Sequence, residues 1–170
     1  TERVGKAKDE ENLYQQLYIE ASRRLPGLDG FLIAHYDESA NEVSFPFAYI
    51  DGNRIHIKSR RGGNSLAEYV LLTKEPLYLP FGDEFFRLSN GLNPPDENPG
   101  LTASEIIVPM FLEGGKIYGA VFAITHDPDL HFTDKHFEIL KTFTSHASIS
   151  IQNFIQIKDA NKLKDATATL

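Results

Sequence analysis

The sequence predicts an α+β sandwich: about six mostly antiparallel strands, the N- and C-terminal helices on one face of the sheet, and a helix plus a lid loop on the other. Three observations carry this. Apolar runs of strand length are joined by short turns rich in Gly, Asn and Asp, so hairpins dominate. Helical apolar stripes stand at both ends of the chain. A capped helix and a long Pro/Gly/Asn-rich stretch separate the two groups of strands. With 170 residues, 41% of them hydrophobic, the chain can bury one sizeable core.

Taken in order, Leu13, Leu17, Ala21 and Leu25, beside Tyr14 and Tyr18, fall on one helical face, and Leu25-Pro26-Gly27 ends that helix. GFLIAHY, residues 30–36, reads as a strand, followed by a polar turn over residues 37–41. Residues 43–50 alternate as a second strand, in which Pro46 implies an edge position or a bulge. Asp51-Gly52 marks a turn, and Ile55 and Ile57 continue as a third strand. Ser65 and Glu68 match a capping box, so a helix starts near Ser65 with Leu66, Tyr69, Val70 and Thr73 inward. Pro76 stops it, and Leu77, Tyr78 and Leu79 form a short strand. Residues 82–103 form the lid, with one helical turn and then loop.

EIIVPMFLEGGKIYGAVFAITHD, residues 105–127, pairs two apolar runs across a tight turn. Gly114 and Gly115 supply the positive φ that the turn needs, and Gly119 marks a close backbone approach. Thr133 caps the last helix, and Phe132 closes on Phe137 as a hydrophobic staple. Leu140, Thr144, Ala147, Ile151, Phe154 and Lys158 continue its stripe. Residues 1–10 read as a leading linker, 11–157 as the domain, and 158–170 as the start of a helix running on toward a further domain. Thr1 is not a natural start and Leu170 ends in mid-pattern, so the chain reads as a piece of a longer protein.

Composition excludes several classes. The net charge is -7 and the pI about 5.3, against a nucleic-acid binder or an anionic membrane surface as partner. The chain has no cysteine, which removes disulfides, thiol catalysis, cysteine-held zinc and thioether-linked chromophores. It also fits a reducing, cytoplasmic setting. The longest apolar runs fall far short of the ~20 residues of a membrane helix.

Three clusters could carry chemistry. In SRRGGNS, Arg60, Arg61, Gly62, Gly63 and Ser65 stand at a helix start, where backbone N–H groups and the helix dipole can hold a phosphate or carboxylate. The alternative is an exposed turn with solvated arginines, since Ser65 already satisfies the cap. In the lid, Phe85, Phe86, Arg87 and Asn90, with Tyr69 on the neighbouring helix, combine apolar walls with polar fixers as a ligand pocket does. Alternatively the two phenylalanines and Leu88 pin the lid while Arg87 is solvated. Of six histidines (His35, His56, His126, His131, His136 and His146), His126 and His131 flank Asp127 and Asp129 in HDPDLH, a possible divalent-ion loop that reads more readily as a polar turn. No catalytic residue is indicated.

GFLIAHYDESANEVSF, NSLAEYVLLTKEPLYLP, IIVPMFLEGGKIYGAVFAITHD and HFTDKHFEILKTFTSHASISIQN, in this order and spacing, resemble the segments of a GAF domain, a small-molecule sensor module of bacterial signalling proteins. Pro109, Gly115, Gly119 and Ala120 stand in the family's usual places. The resemblance implies a sheet that floors a ligand pocket. The Asn-Lys…Asp-Glu signature of cyclic-nucleotide-binding relatives has no counterpart here. The cysteines of bilin-binding relatives and of GAF-like methionine sulfoxide reductases are also missing. The cofactor is therefore left open, with haem and metal not favoured.

The resemblance implies a regulatory domain rather than an enzyme, sensing an unknown small molecule within a sensor histidine kinase or diguanylate cyclase. KLKDATATL resembles the linker into a diguanylate cyclase. Ile149, Leu163 and Leu170 stand at multiples of seven, broken at Gln156, and suggest a homodimer through the terminal helices. The alternative is a ligand-free dimerisation or scaffold module.

Overall fold

In the computed structural model, which describes residues 2–94 and 101–168, seven strands form one sheet. They are β1 (Gly30–Asp37), β2 (Glu42–Ile50), β3 (Asn53–Arg54), β4 (Arg60–Arg61), β5 (Leu77–Leu79), β6 (Ser104–Phe111) and β7 (Ile117–Thr125). The order is β3-β2-β1-β7-β6-β5, with β4 pairing β2 and every pair antiparallel. The helices are α1 (Glu2–Arg24), α2 (Leu66–Thr73), α3 (Glu84–Ser89) and α4 (Asp134–Ala168). The expected α+β sandwich is therefore present, with α1 and α4 on one face and α2 on the other. No described helix is long and apolar enough to cross a membrane.

Side-chain alternation along the strands sorts the core into two layers. Phe31, Ile33, Phe47, Ile106 and Val108 pack with Leu17, Ala21, Leu140 and Ile151 of the terminal helices. Leu32, Ala34, Ala48, Ile107 and Phe122 pack with Leu66, Val70 and Leu71 of α2. β1 and β7 lie at the middle of the sheet, and the glycines of the β6–β7 turn take φ of 85° and 81°. Gly119 does mark a close approach, to the sheet's own backbone. A Cβ there would stand 1.7 Å from the Ala34 carbonyl oxygen on β1.

Several local expectations differ. Ile55 and Ile57 are not in a strand: β3 ends at Arg54 after two residues. Pro46 on β2 has no N–H to offer the ladder. The Arg54 guanidinium lies beside it, donating from Nη2 to Pro46 O at 3.0 Å and from Nη1 to Ala48 O at 3.4 Å, a carbonyl that also accepts from Ile55 N at 2.9 Å. The isoleucines pack instead, half-buried, against the α2-side core. Helix α1 begins at Glu2, inside the stretch read as a linker. On α2 the inward residues are Leu66, Ala67, Val70 and Leu71, whereas Thr73 is exposed on the last turn and its hydroxyl bonds Tyr69 O at 2.7 Å. Ser65 caps α2 in a capping box with Glu68, as expected. At the start of α4, the Thr133 hydroxyl accepts from His136 N at 3.3 Å, completing the cap. Phe132 sets its ring against His136, while Phe137 stacks on Tyr78 at 5.3 Å.

Candidate ligand-binding site

A cavity of about 90 Å³ lies between the α2-side face of the sheet and the segments that cover it. Its floor is apolar: Leu32 on β1, Ile50 on β2, and Phe122 and Ile124 on β7. Phe45 and Ile57 close the side, and Leu66 and Ala67 at the start of α2 form part of the roof. Polar groups are fewer and converge: Arg60, Ser65, Asp83, Arg87, Asn93, Thr102 and Glu105. Apolar walls with a few fixed polar groups are the usual build of a small-molecule site.

Glu105 is the least expected of these. It pairs with Leu79 on β5 and Ile124 on β7, and alternation puts it on the same face as Ile107 of the α2-side core. Only 4% of it is exposed. Burial, and then the neighbouring Asp83 carboxylate to which it hydrogen-bonds, push its carboxyl group well above the ordinary carboxylate range. Two carboxyl groups can share a hydrogen bond only when one of the pair holds a proton, so the bond between Glu105 and Asp83 implies one proton on the pair. No described group donates to Glu105 Oε2.

Asp83 reaches this position through a turn at Gly82, whose φ is +88°. A Cβ there would stand 2.7 Å from Thr102 O, so only glycine lets the chain pass this close to the strand leading into β6. Arg87, one helical turn on, brings Nε to 3.4 Å from Asp83 Oδ1. That is an ion pair without hydrogen-bond geometry, and Nε has no hydrogen-bond acceptor among the described residues.

The helix start behaves differently from an open anion site. Glu68 accepts from Ser65 N at 2.8 Å and pairs with Arg60, whose Nη2 also donates to Ser65 Oγ at 3.1 Å. Burial pushes the Glu68 carboxyl up, but the hydrogen bonds from Arg60 and Ser65 outweigh it and hold it below its ordinary value. The position an anion would take is thus filled by the helix's own carboxylate.

Of the sequence-predicted site residues, Arg60, Ser65 and Arg87 are brought together around the cavity. Tyr69 and Phe86 pack edge to face at 5.1 Å and do not line it. Arg61 and Asn90 are exposed, and the Asn90 amide donates back to Phe86 O at 2.8 Å. Phe85 is 84% exposed. It follows Glu84 at the start of a single short helix whose inner side is taken by Phe86 and Arg87. Lid residues 95–100 lie outside the described residues. In HDPDLH, His126 faces Asp51 at 3.5 Å, whereas the His131 ring meets Phe81 at 5.2 Å. No group of three His, Asp or Glu that could hold a metal is found among the described residues.

Sequence reasoning missed Glu105, Asp83 and Thr102. For Glu105 a signal existed: it stands two residues before Ile107 in a buried strand, which places an acid on an apolar face. Nothing local marks Asp83 or Thr102.

The GAF domain family model matches residues 7–152. The chain belongs to the GAF family. Solved structures agree on this GAF fold. The GAF domain/HD domain protein from Geobacter sulfurreducens superposes with a TM-score of 0.68 at 16% identity, over 88% of this chain and 96% of that one. The GAF domain of a two-component sensor histidine kinase from Bacillus halodurans gives 0.64 at 12% identity, over 87% and 97%. A type II free methionine-R-sulfoxide reductase from Thermoplasma acidophilum gives 0.61 at 13% identity, over 88% and 96%. No curated protein matches the GAF chain by sequence. GAF domains are in general regulatory modules, and the reductase shows that the fold also serves an enzyme.

Proposed function

We propose that this GAF domain is a non-catalytic sensor that binds a small molecule in the cavity between the sheet and the α2–α3 layer. Its setting is a bacterial, cytoplasmic signal-transduction protein of the sensor histidine kinase or diguanylate cyclase kind. The observation that carries the reading is the Glu105–Asp83–Arg87 group. Buried polar atoms in a purely structural core are hydrogen-bonded, yet Glu105 Oε2 and Arg87 Nε have no hydrogen-bond partner among the described residues. A ligand that supplies those bonds gains by doing so. With no cysteine in the chain, there is no thiol nucleophile to turn binding into redox chemistry.

Transmission runs through the terminal helices. They pack together on the opposite face, and α4 exposes Ile149 (60%), Ile157 (62%) and Leu163 (72%) along one side. A homodimer covers these residues and couples two domains. A ligand that favours one arrangement of the α3 segment shifts the population of the helix pair. Neither nucleic acid nor a membrane surface is a partner of so acidic a domain. The second reading is a ligand-free dimerisation module. It is favoured by the size of the cavity, about 90 Å³, which is small beside a drug-sized site.

Mass spectrometry of the purified domain, native and then denatured, tests both. A small molecule released on denaturation supports sensing. A bare-chain mass, joined with no change in melting temperature across a metabolite panel, supports the scaffold reading, because a ligand specific for the folded state must raise stability. The dimer peak in the same spectrum tests the helix argument separately.

A further inference from the structure

Building on the ligand-site reading above, we infer that the molecule held beside β6 is uncharged at that end and presents a carboxamide-like edge, with an N–H donated to the Glu105 carboxyl group and the adjacent C=O accepting from Arg87.

The two groups that need partners are of opposite kind. Glu105 Oε2 needs a donor, and Arg87 Nε needs an acceptor. Both flank one carboxylate: Glu105 hydrogen-bonds to Asp83, and Arg87 Nε stands 3.4 Å from Asp83 Oδ1. A single group carrying a donor and an acceptor on neighbouring atoms answers both.

Charge narrows the choice. Asp83 is balanced by Arg87, and Glu68 by Arg60. The hydrogen bond between Glu105 and Asp83 needs one proton on the pair, which leaves the surroundings close to neutral. A carboxylate ligand matches Arg87 but adds a third acid beside Glu105 and Asp83. An amidinium or ammonium meets the acids but stands against Arg87 and has no acceptor for it. Burying either ion in so apolar a cavity is costly, whereas a neutral amide satisfies both groups. The walls of Leu32, Ile50, Phe122 and Ile124, and the cavity volume of about 90 Å³, call for a short branched or flat apolar tail on that amide.

Isobutyramide, isobutyramidinium and isobutyrate share one shape and differ only in this edge. Each is titrated into the protein with its Ile and Leu methyl groups labelled for NMR. The methyls of Leu32, Ile50, Leu66 and Ile124 report the cavity, and those of Ile106 and Ile151 in the opposite core serve as the control. Isobutyramide is expected to shift the cavity methyls at about tenfold lower concentration than either ion. Glu105→Gln keeps a carbonyl acceptor and holds that affinity within about threefold, while Glu105→Leu weakens it about tenfold or more. Arg87→Met, at a partly exposed position, is expected to weaken it similarly and secures the test if Glu105→Leu does not fold. Tighter binding of isobutyramidinium or isobutyrate in the cavity overturns the amide inference and leaves the ligand-site reading standing. No movement of the cavity methyls with any of the three overturns both.

Discussion

Under α1 and α4 the sheet is closed by aromatic and aliphatic side chains, with Phe31, Phe47, Leu140 and Ile151 at 1% exposure or less. The Tyr14 hydroxyl within that layer is partnered, donating to Glu10 at 2.9 Å and lying 3.2 Å from the Tyr118 hydroxyl. Burial, together with that hydroxyl pairing, pushes the Tyr14 phenol far above its ordinary range, so it stays neutral. Under α2 and α3 the same sheet carries a cavity, a buried acid whose pKa is raised, and an arginine Nε without a hydrogen-bond acceptor among the described residues. One face supplies stability through close packing. The other gives some of it up, keeping space and polar groups without a hydrogen-bond partner among the described residues. The proposed sensing role draws on that division: a closely packed layer joined to the long helices, and a layer with room for a ligand.

The largest expected effect sharpens this contrast. Phe47→Ala should lower stability by about 3–5 kcal/mol, because it opens a void in a fully packed layer. Phe122→Ala, beside an existing cavity, should cost less by at least about 1 kcal/mol. Urea unfolding of both variants measures the difference, and equal losses would erase the distinction between the faces. Next in size, Ser65→Ala should cost about 1–2 kcal/mol, since it removes the α2 cap together with the acceptor for Arg60. A loss near zero in the same experiment would mean that the α2 layer is not held at its N-terminus.

Glu105→Gln probes the responsive face through pH. The folded-state pKa of Glu105 is raised above its ordinary value of 4.5. Above that value the unfolded chain releases the proton while the native state keeps it, so stability falls with rising pH until the folded pKa is reached. Glutamine does not titrate. The melting temperature of the variant relative to the parent should therefore climb as pH rises from 4.5. A gap that stays constant with pH would break the reading that burial raises the Glu105 pKa. The smallest effect belongs to Phe85→Ala. At 84% exposure it should change stability by no more than about 0.5 kcal/mol and leave cavity binding unaltered, as followed by the methyl spectrum.

Much of the architecture was legible because it follows from short-range rules. The 105–127 hairpin, the Ser65–Glu68 capping box and the two terminal helices each show in a window of a few residues, where alternation, caps and turn glycines act locally. Local pattern could not foresee that the pairing with β2 would stop at Arg54, and so β3 proved shorter than the alternation of Ile55 and Ile57 implied. In the lid, composition marked Phe85, Phe86 and Arg87 alike, and only the docked position of α3 separated an exposed Phe85 from an Arg87 at the cavity.

The sequence by itself therefore determined the main hairpins, the capped helix α2 and the terminal helices, and an acidic, cysteine-free domain resembling the GAF family. Tertiary structure alone decided the site. Asp83 and Arg87 stand one turn apart at α3 and Glu105 stands on β6, so their meeting depends on how the turn at Gly82 seats against Thr102. Whether an acid is solvated and charged or buried and protonated depends on the groups that surround it in space, and neighbours in the chain do not specify those.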